Sequence, residues 1–309
     1  MEYAFLLFEQ IGIMFLIILL GYILFKAKVI SEQGRKQLSE VLLTIVIPAL
    51  VIMAYQIDVT PKIMKGILWS YLLSAISIII GIFIARICIK DRMENFRMCR
   101  MCVGYTNCAF MGIPLIEALF GSEGVLYLTS YITLFNIFAW THGIMLATDE
   151  KSFKGLIKVM KNPTIISVAV GILLFAAGIK LPKVIASSLD YVKMMNTPIA
   201  MLVAGATMAE SHLLKALKEP NVMVPVALRL VVVPVIVVAV FRLLPVPSEV
   251  IFTTNIIAAA CPTATIVTLF AIRYNRNAVR ASEVFAISTL LSGITLPIIV
   301  LLSGFVFNL

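Results

Sequence analysis

Apolar residues fill this chain in long runs, interrupted by short polar stretches. Crossing a bilayer as a helix takes about 20 apolar residues. Measured against that length, the runs predict ten spans, at 6–25, 38–56, 66–88, 99–120, 125–147, 163–180, 187–209, 222–244, 250–272 and 281–307. The seventh is the least regular, because Asp190, Lys193, Asn196 and Pro198 crowd its start and call for an irregular turn there. The connections are too short to hold a soluble domain. The expected fold class is therefore an all-α integral membrane protein made as one embedded unit.

Composition agrees with the pattern. Of 309 residues, 61% are hydrophobic and 13% charged, against about half and a quarter in a soluble domain. The charge of +9 would suggest nucleic acid in a soluble protein, but here the basic residues sit between apolar runs and report orientation. One set of alternate loops (26–36, 86–100, 151–161, 215–218, 273–280) holds 18 Lys and Arg, and the opposite set with both termini holds 6. By the positive-inside rule the richer side is cytoplasmic, so both termini are expected outside the cytoplasm of a multi-pass cell-membrane protein. The first run is not read as a cleavable leader, since no Lys or Arg precedes it. Five cysteines, all in or beside apolar runs, do not form a disulfide framework. Cys99 and Cys102 have the spacing of a metal pair, but no second pair or nearby histidine completes a site.

Ten spans divide into two sets of five, and an odd number inserts the halves with opposite topology. The fourth span of each half carries a similar stretch. Thr106-Asn107 precedes Pro114 by the same spacing as Thr254-Asn255 precedes Pro262, at an offset of 148 residues. Proline removes a backbone donor and clashes with the preceding turn, so both spans are expected to break just before Pro114 and Pro262, the first eased by Gly112. Non-helical backbone inside a membrane needs protein or a wet cavity around it. If the two broken spans cross, the N-termini of the second half-helices meet, and their partial positive charge and free N–H groups favour an anion. Pro48, Pro225, Pro234 and Pro297 are read as ordinary kinks.

The stretch Asn107–Leu115 (NCAFMGIPL) with Leu119-Phe120-Gly121 resembles the fourth-helix motif of the auxin efflux carrier family. Pro262 onward to Leu269-Phe270-Ala271 and Tyr274-Asn275 is similar to its ninth-helix motif, and Ser288–Ser292 with Pro297 to its last helix. The resemblance implies two inverted five-helix repeats with broken, crossing helices 4 and 9. It also implies a scaffold of residues 1–65 and 163–210, a moving core of residues 66–162 and 211–309, and secondary transport of a small organic anion. The central loop, about 148–162, is far shorter than in the plant carriers and looks like that of the bacterial malate and malonate permease branch.

The substrate site is expected at the crossing, on Asn107, Gly112, Ile113 and Pro114 from one span. The other span contributes Asn255, Pro262, Thr263, Ala264 and Thr265. The asparagines either touch substrate or cap freed carbonyls, and the threonines either hold a carboxylate or bond back within their helix. Glu117, one turn past Pro114, is a candidate for coupling to H+ or Na+, since an ionisable residue in a span is costly. Arg229 is read as snorkelling to the cytoplasmic face. His142 and Asn136 are read as ordinary hydrogen bonders, and Asn196, Thr197 and Pro198 as the scaffold side of a cavity. No GxxxxGK[ST], HExxH or GxSxG run occurs, which argues against a nucleotide-driven pump or an intramembrane hydrolase. No cofactor, metal or nucleic acid is expected. The partners are an organic anion and the bilayer, with homodimerisation left open. A sensor or channel-like protein on the same fold is the alternative to a carrier.

Overall fold

The structure is a computed structural model that describes residues 2–58, 60–148, 162–211 and 213–308. The central loop at 149–161 and His212 lie outside the described residues. Among the described residues thirteen helical segments follow one another: α1 Glu2–Lys26, α2 Glu32–Ala54, α3 Pro61–Cys88, α4 Phe96–Gly104 and α5 Cys108–Thr148. Then come α6 Pro163–Ala176, α7 Lys183–Met194, α8 Asn196–Ala209 and the short α9 Leu213–Ala216. The last are α10 Pro220–Arg242, α11 Glu249–Ala260, α12 Thr265–Arg273 and α13 Ala278–Asn308. The described residues contain no β-strand, only one isolated two-residue bridge.

By length and composition α1, α2, α3, α5, α10 and α13 can each cross a membrane. This is an all-helical, multi-pass membrane protein. The remaining expected spans lie in shorter pieces. Span 99–120 is divided between α4 and the start of α5, span 250–272 between α11 and α12, and span 187–209 between α7 and α8, which meet at Met195. Gly121 (φ 57°, ψ −148°) turns the chain inside α5, in a backbone region that glycine alone enters freely.

Local chemistry sets the helix ends. Ser31, Thr60 and Asn162 accept from Gly34, Ile63 and Thr164 backbone N–H groups at 3.0, 3.2 and 2.9 Å and so cap α2, α3 and α6. Proline follows the cap in α3 and α6, where its missing N–H is no loss. At the end of α12, Asn275 takes φ 50° and Arg276 N–H returns to Ala271 O at 2.7 Å, a Schellman closure in which asparagine replaces the usual glycine.

Three prolines inside the long helices are met by a local widening. π-turns at Leu42–Val46, Cys108–Gly112 and Leu228–Val232 end two residues before Pro48, Pro114 and Pro234. A proline clashes with the carbonyl four residues back, and the wider turn carries that carbonyl aside without ending the helix. The expectation of a break before Pro114 is thereby corrected: the helix runs unbroken through Pro114, and the break lies earlier, at 105–107. The break before Pro262 is where it was expected, since α11 ends at Ala260.

Two sets of close helix pairs stand out, with further contacts joining one set to the other. α1 lies along α8, while the Ile47–Ala54 part of α2 packs on α6 and α7. Lipid offers no hydrophobic drive for such pairs, so close backbone approach must supply it. Gly21 and Gly205 provide that approach. A Cβ at Gly21 would stand 2.5 Å from Leu202 O, and one at Gly205 would overlap Ile18 O. In the second set α3, α4, α5, α11 and α13 pack on each other, and α12 joins through α13.

Candidate functional site

The two helix breaks meet at one point. Residues 105–107, between α4 and α5, pair antiparallel with 262–264, between α11 and α12. Asn107 N–H donates to Pro262 O at 2.7 Å, Ala264 N–H donates to Tyr105 O at 3.0 Å, and Thr106 stands opposite Thr263. The side chains complete the arrangement reciprocally. Thr106 Oγ1 donates to Ala258 O at 2.6 Å near the end of α11, and Thr263 Oγ1 donates to Cys102 O at 2.9 Å near the end of α4. Carbonyls that a broken helix leaves without partners are thus bonded across the crossing. Both threonines are fully buried. The residues that face each other here are 157 apart, so the Thr-Asn…Pro similarity at an offset of 148 does not correspond to this pairing. Thr254 and Asn255 lie inside α11.

A cavity of about 440 Å³ opens from the crossing. Its floor holds Thr106, Asn107, Ala109 and Phe110 from one side and Ala264, Thr265 and Ile266 from the other. These residues lead into the first turns of α5 and α12, and the N–H groups of a helix's first turn have no acceptor within their own helix. Asn107 is 4% exposed, and its Nδ2 has no partner; the Thr265 hydroxyl is also unpartnered. The walls are apolar and aromatic, with Ile132, Phe135, Leu269 and Trp140, the last edge-on to Phe270 at 5.3 Å between centroids. Asn136 joins the wall and accepts from Asn162 at 3.2 Å. At the far end lie Ser39, Thr44, Thr164 and Arg273. The cavity therefore leads from the crossing towards the end of the molecule where the 26–36 and 273–280 loops lie.

Of the residues expected at the site, Asn107, Ala264 and Thr265 line this cavity. Pro262 and Thr263 form the bridge behind it. Gly112, Ile113 and Pro114 are buried in α5 and do not line it. Asn255 is held in helix packing. It accepts from Ser74 Oγ at 2.8 Å, and donates to Ser70 Oγ and Ile251 O at 2.9 Å each, which ties α11 to α3. Glu117 follows the start of α5 by nine residues, roughly 13 Å along a helix axis, so it is not at a positive helix pole. It pairs with Lys193 of α7 at 3.2 Å and its side chain is 34% exposed. His142 bonds Tyr105 OH at 2.8 Å outside the cavity lining. Arg229 does not snorkel. It is 1% exposed, and its Nη1 donates to Val103 O at 2.9 Å.

Sequence reasoning did not single out Thr106, Ala109, Phe110, Asn162 or Arg273 as cavity residues. Asn162 before Pro163 carried a signal, as a helix cap beside a basic loop; for the others the signal was only their nearness to Asn107 or Thr265.

Residues 6–300 match the membrane transport protein family, the group that contains the auxin efflux carriers. The chain belongs to that family. It is also similar to an uncharacterized transporter of Methanothermobacter thermautotrophicus, 24% identical over 300 residues, which cover 94% of this chain and 96% of that protein. Family membership marks it as a transport protein.

Proposed function

We propose that this membrane transport protein is a secondary carrier that moves a small organic anion by alternating access. The observation that carries the reading is the convergence of two helix N-termini, those of α5 and α12, on one cavity. Such termini supply N–H donors and positive potential to an anion. Asn107 and Thr265 add side-chain donors at the same floor. A volume near 440 Å³ lies within the usual range for small-molecule sites. Its aromatic walls suit a carboxylate with an apolar body better than a compact dicarboxylate.

Ten spans in two inverted halves account for the broken pair, with residues 1–65 and 163–210 as scaffold and 66–162 and 211–309 as core. The close pairing of α1 with α8 supports placing those two helices together. With the basic loops inside the cell membrane and both termini outside, the cavity faces the cytoplasm, and Glu117–Lys193 joins core to scaffold at the opposite end. Coupling to H+ or Na+ is tested with the same assay.

Purified protein in liposomes preloaded with phenylacetate, indole-3-acetate, malate or malonate is assayed for counterflow of the labelled compound, with and without sodium and at pH 6 and 7.5. Saturable counterflow of a carboxylate is the expected result. Binding of a carboxylate without counterflow would instead establish a sensor, and flux that does not saturate would establish a channel.

A further inference from the structure

Arg229 carries a full positive charge into the interior of the protein. It lies in the π-turn Leu228–Val232 of α10 and is 1% exposed. One nitrogen donates to Val103 O, while Nε and Nη2 have no partner. The ionisable groups that face it are Tyr131 of α5 and the two cysteines that flank the breaks, Cys108 and Cys261. No carboxylate among the described residues pairs with it.

The counterpart of this charge is helical. Val103 is one of the last carbonyls of α4, and the π-turn that carries Arg229 also packs on α11, whose C-cap is Cys261, so the guanidinium holds the end of α4 and lies in a turn packed on α11. Those ends carry partial negative charge. A crossing of broken helices brings two negative and two positive poles together, and unaided their fields oppose each other. We propose that Arg229 is the positioning residue that makes the crossing cationic: it holds the end of α4, offsets the two negative poles, and leaves the positive poles of α5 and α12 to set the potential in the cavity. This deepens the reading of the cavity as an anion site and rests on it.

A thiol on the cavity floor reports that potential without any substrate. Ala109 lines the cavity in the first turn of α5, and Cys88 is the exposed native cysteine. In a Cys88→Ser, Ala109→Cys protein, the rate of alkylation by iodoacetamide against pH gives the thiol pKa. The parent without Ala109→Cys supplies the background rate. With Arg229 in place the value is expected below the ordinary cysteine value of about 8.5. Arg229→Gln or Arg229→Met should raise it by about one pH unit, the effect that a unit charge about 10 Å from a thiol would have at an effective dielectric of about 20. Arg229→Lys should leave it near the parent value.

A merely structural arginine would lower the melting temperature of the uncharged variants and leave the thiol pKa of the folded protein unmoved, which overturns the proposal. If neither uncharged variant folds, a thiol pKa at or above about 8.5 in the Arg229 protein overturns it as well. A thiol that iodoacetamide fails to reach at any pH would instead remove the cavity and, with it, the carrier reading.

Discussion

Asn107 and Asn255 are the same residue type, both buried, and the structure gives them opposite fates under substitution by alanine. Asn255→Ala removes two hydrogen bonds between α11 and α3, through Ser74 and Ser70, and one within α11 to Ile251. Bonds between helices in membranes are worth about 0.6 to 1.7 kcal/mol each, so the two cross-helix bonds together should cost about 1–3 kcal/mol of stability. Asn107→Ala removes an Nδ2 that has no protein partner, and its backbone bond to Pro262 survives. A buried donor without a partner carries an uncompensated desolvation cost, so removing it should not lower stability. Affinity should respond the other way. A hydrogen bond to a charged ligand is worth about 1.5–3 kcal/mol, which is a roughly ten- to 150-fold loss for Asn107→Ala and little for Asn255→Ala. Unfolding in sodium dodecyl sulfate measures the first quantity, and the concentration dependence of counterflow measures the second. Equal destabilisation by both variants with unchanged half-saturation would refute the assignment of Asn107 to the site.

Thr106→Val and Thr263→Val each strand a buried carbonyl across one bridge, so each should cost about 1–3 kcal/mol; a double-mutant cycle should show coupling above about 0.5 kcal/mol, and simple additivity would mean that the halves of the crossing are independent. Gly205→Ala should separate α1 from α8 and destabilise by about 1–3 kcal/mol, since its Cβ would overlap Ile18 O; unaltered unfolding would contradict that packing. Glu117→Lys should impair counterflow and Lys193→Glu should restore it in the double variant, because the pair at 3.2 Å joins α5 to α7; a double variant no better than the single one would deny the pair a role. Asp91, in the loop after α3, has its pKa held below the usual 3.8 by hydrogen bonds from Arg100 and then Arg86. Its contribution is present above pH 3.8 and is lost as pH falls through the lowered value, so Asp91→Asn should narrow the stability difference between pH 5 and pH 2.

The apolar runs made most of the helices legible, because a span is written in consecutive residues. The break before Pro262 was legible in place, the other only in kind. The sequence pointed to Pro114, but the chain opens at 105–107, since what fixes the opening is pairing with 262–264, a contact over 157 residues that no local pattern displays. For the same reason Asn255 read as a site residue. Its partners, Ser70 and Ser74, are distant in sequence and become visible only when α3 packs on α11. Arg229 misled in the other direction. Its distance from the helix end suggested water, and the carbonyl that holds it exists as an acceptor only because α4 stops at Gly104.

The π-turns before Pro48, Pro114 and Pro234 have an evolutionary consequence. Each holds about one residue more than an α-turn of the same height, and removing a single residue from it restores an α-turn while leaving the faces on either side in register. Elsewhere in a helix, deleting one residue rotates everything beyond it by about 100°. Relatives of this chain should therefore differ by single-residue gaps at Leu42–Val46, Cys108–Gly112 and Leu228–Val232, in the middle of spans where alignments ordinarily forbid them. A gap there should coincide with loss of the proline two residues later, because a chain without the ring no longer needs the width.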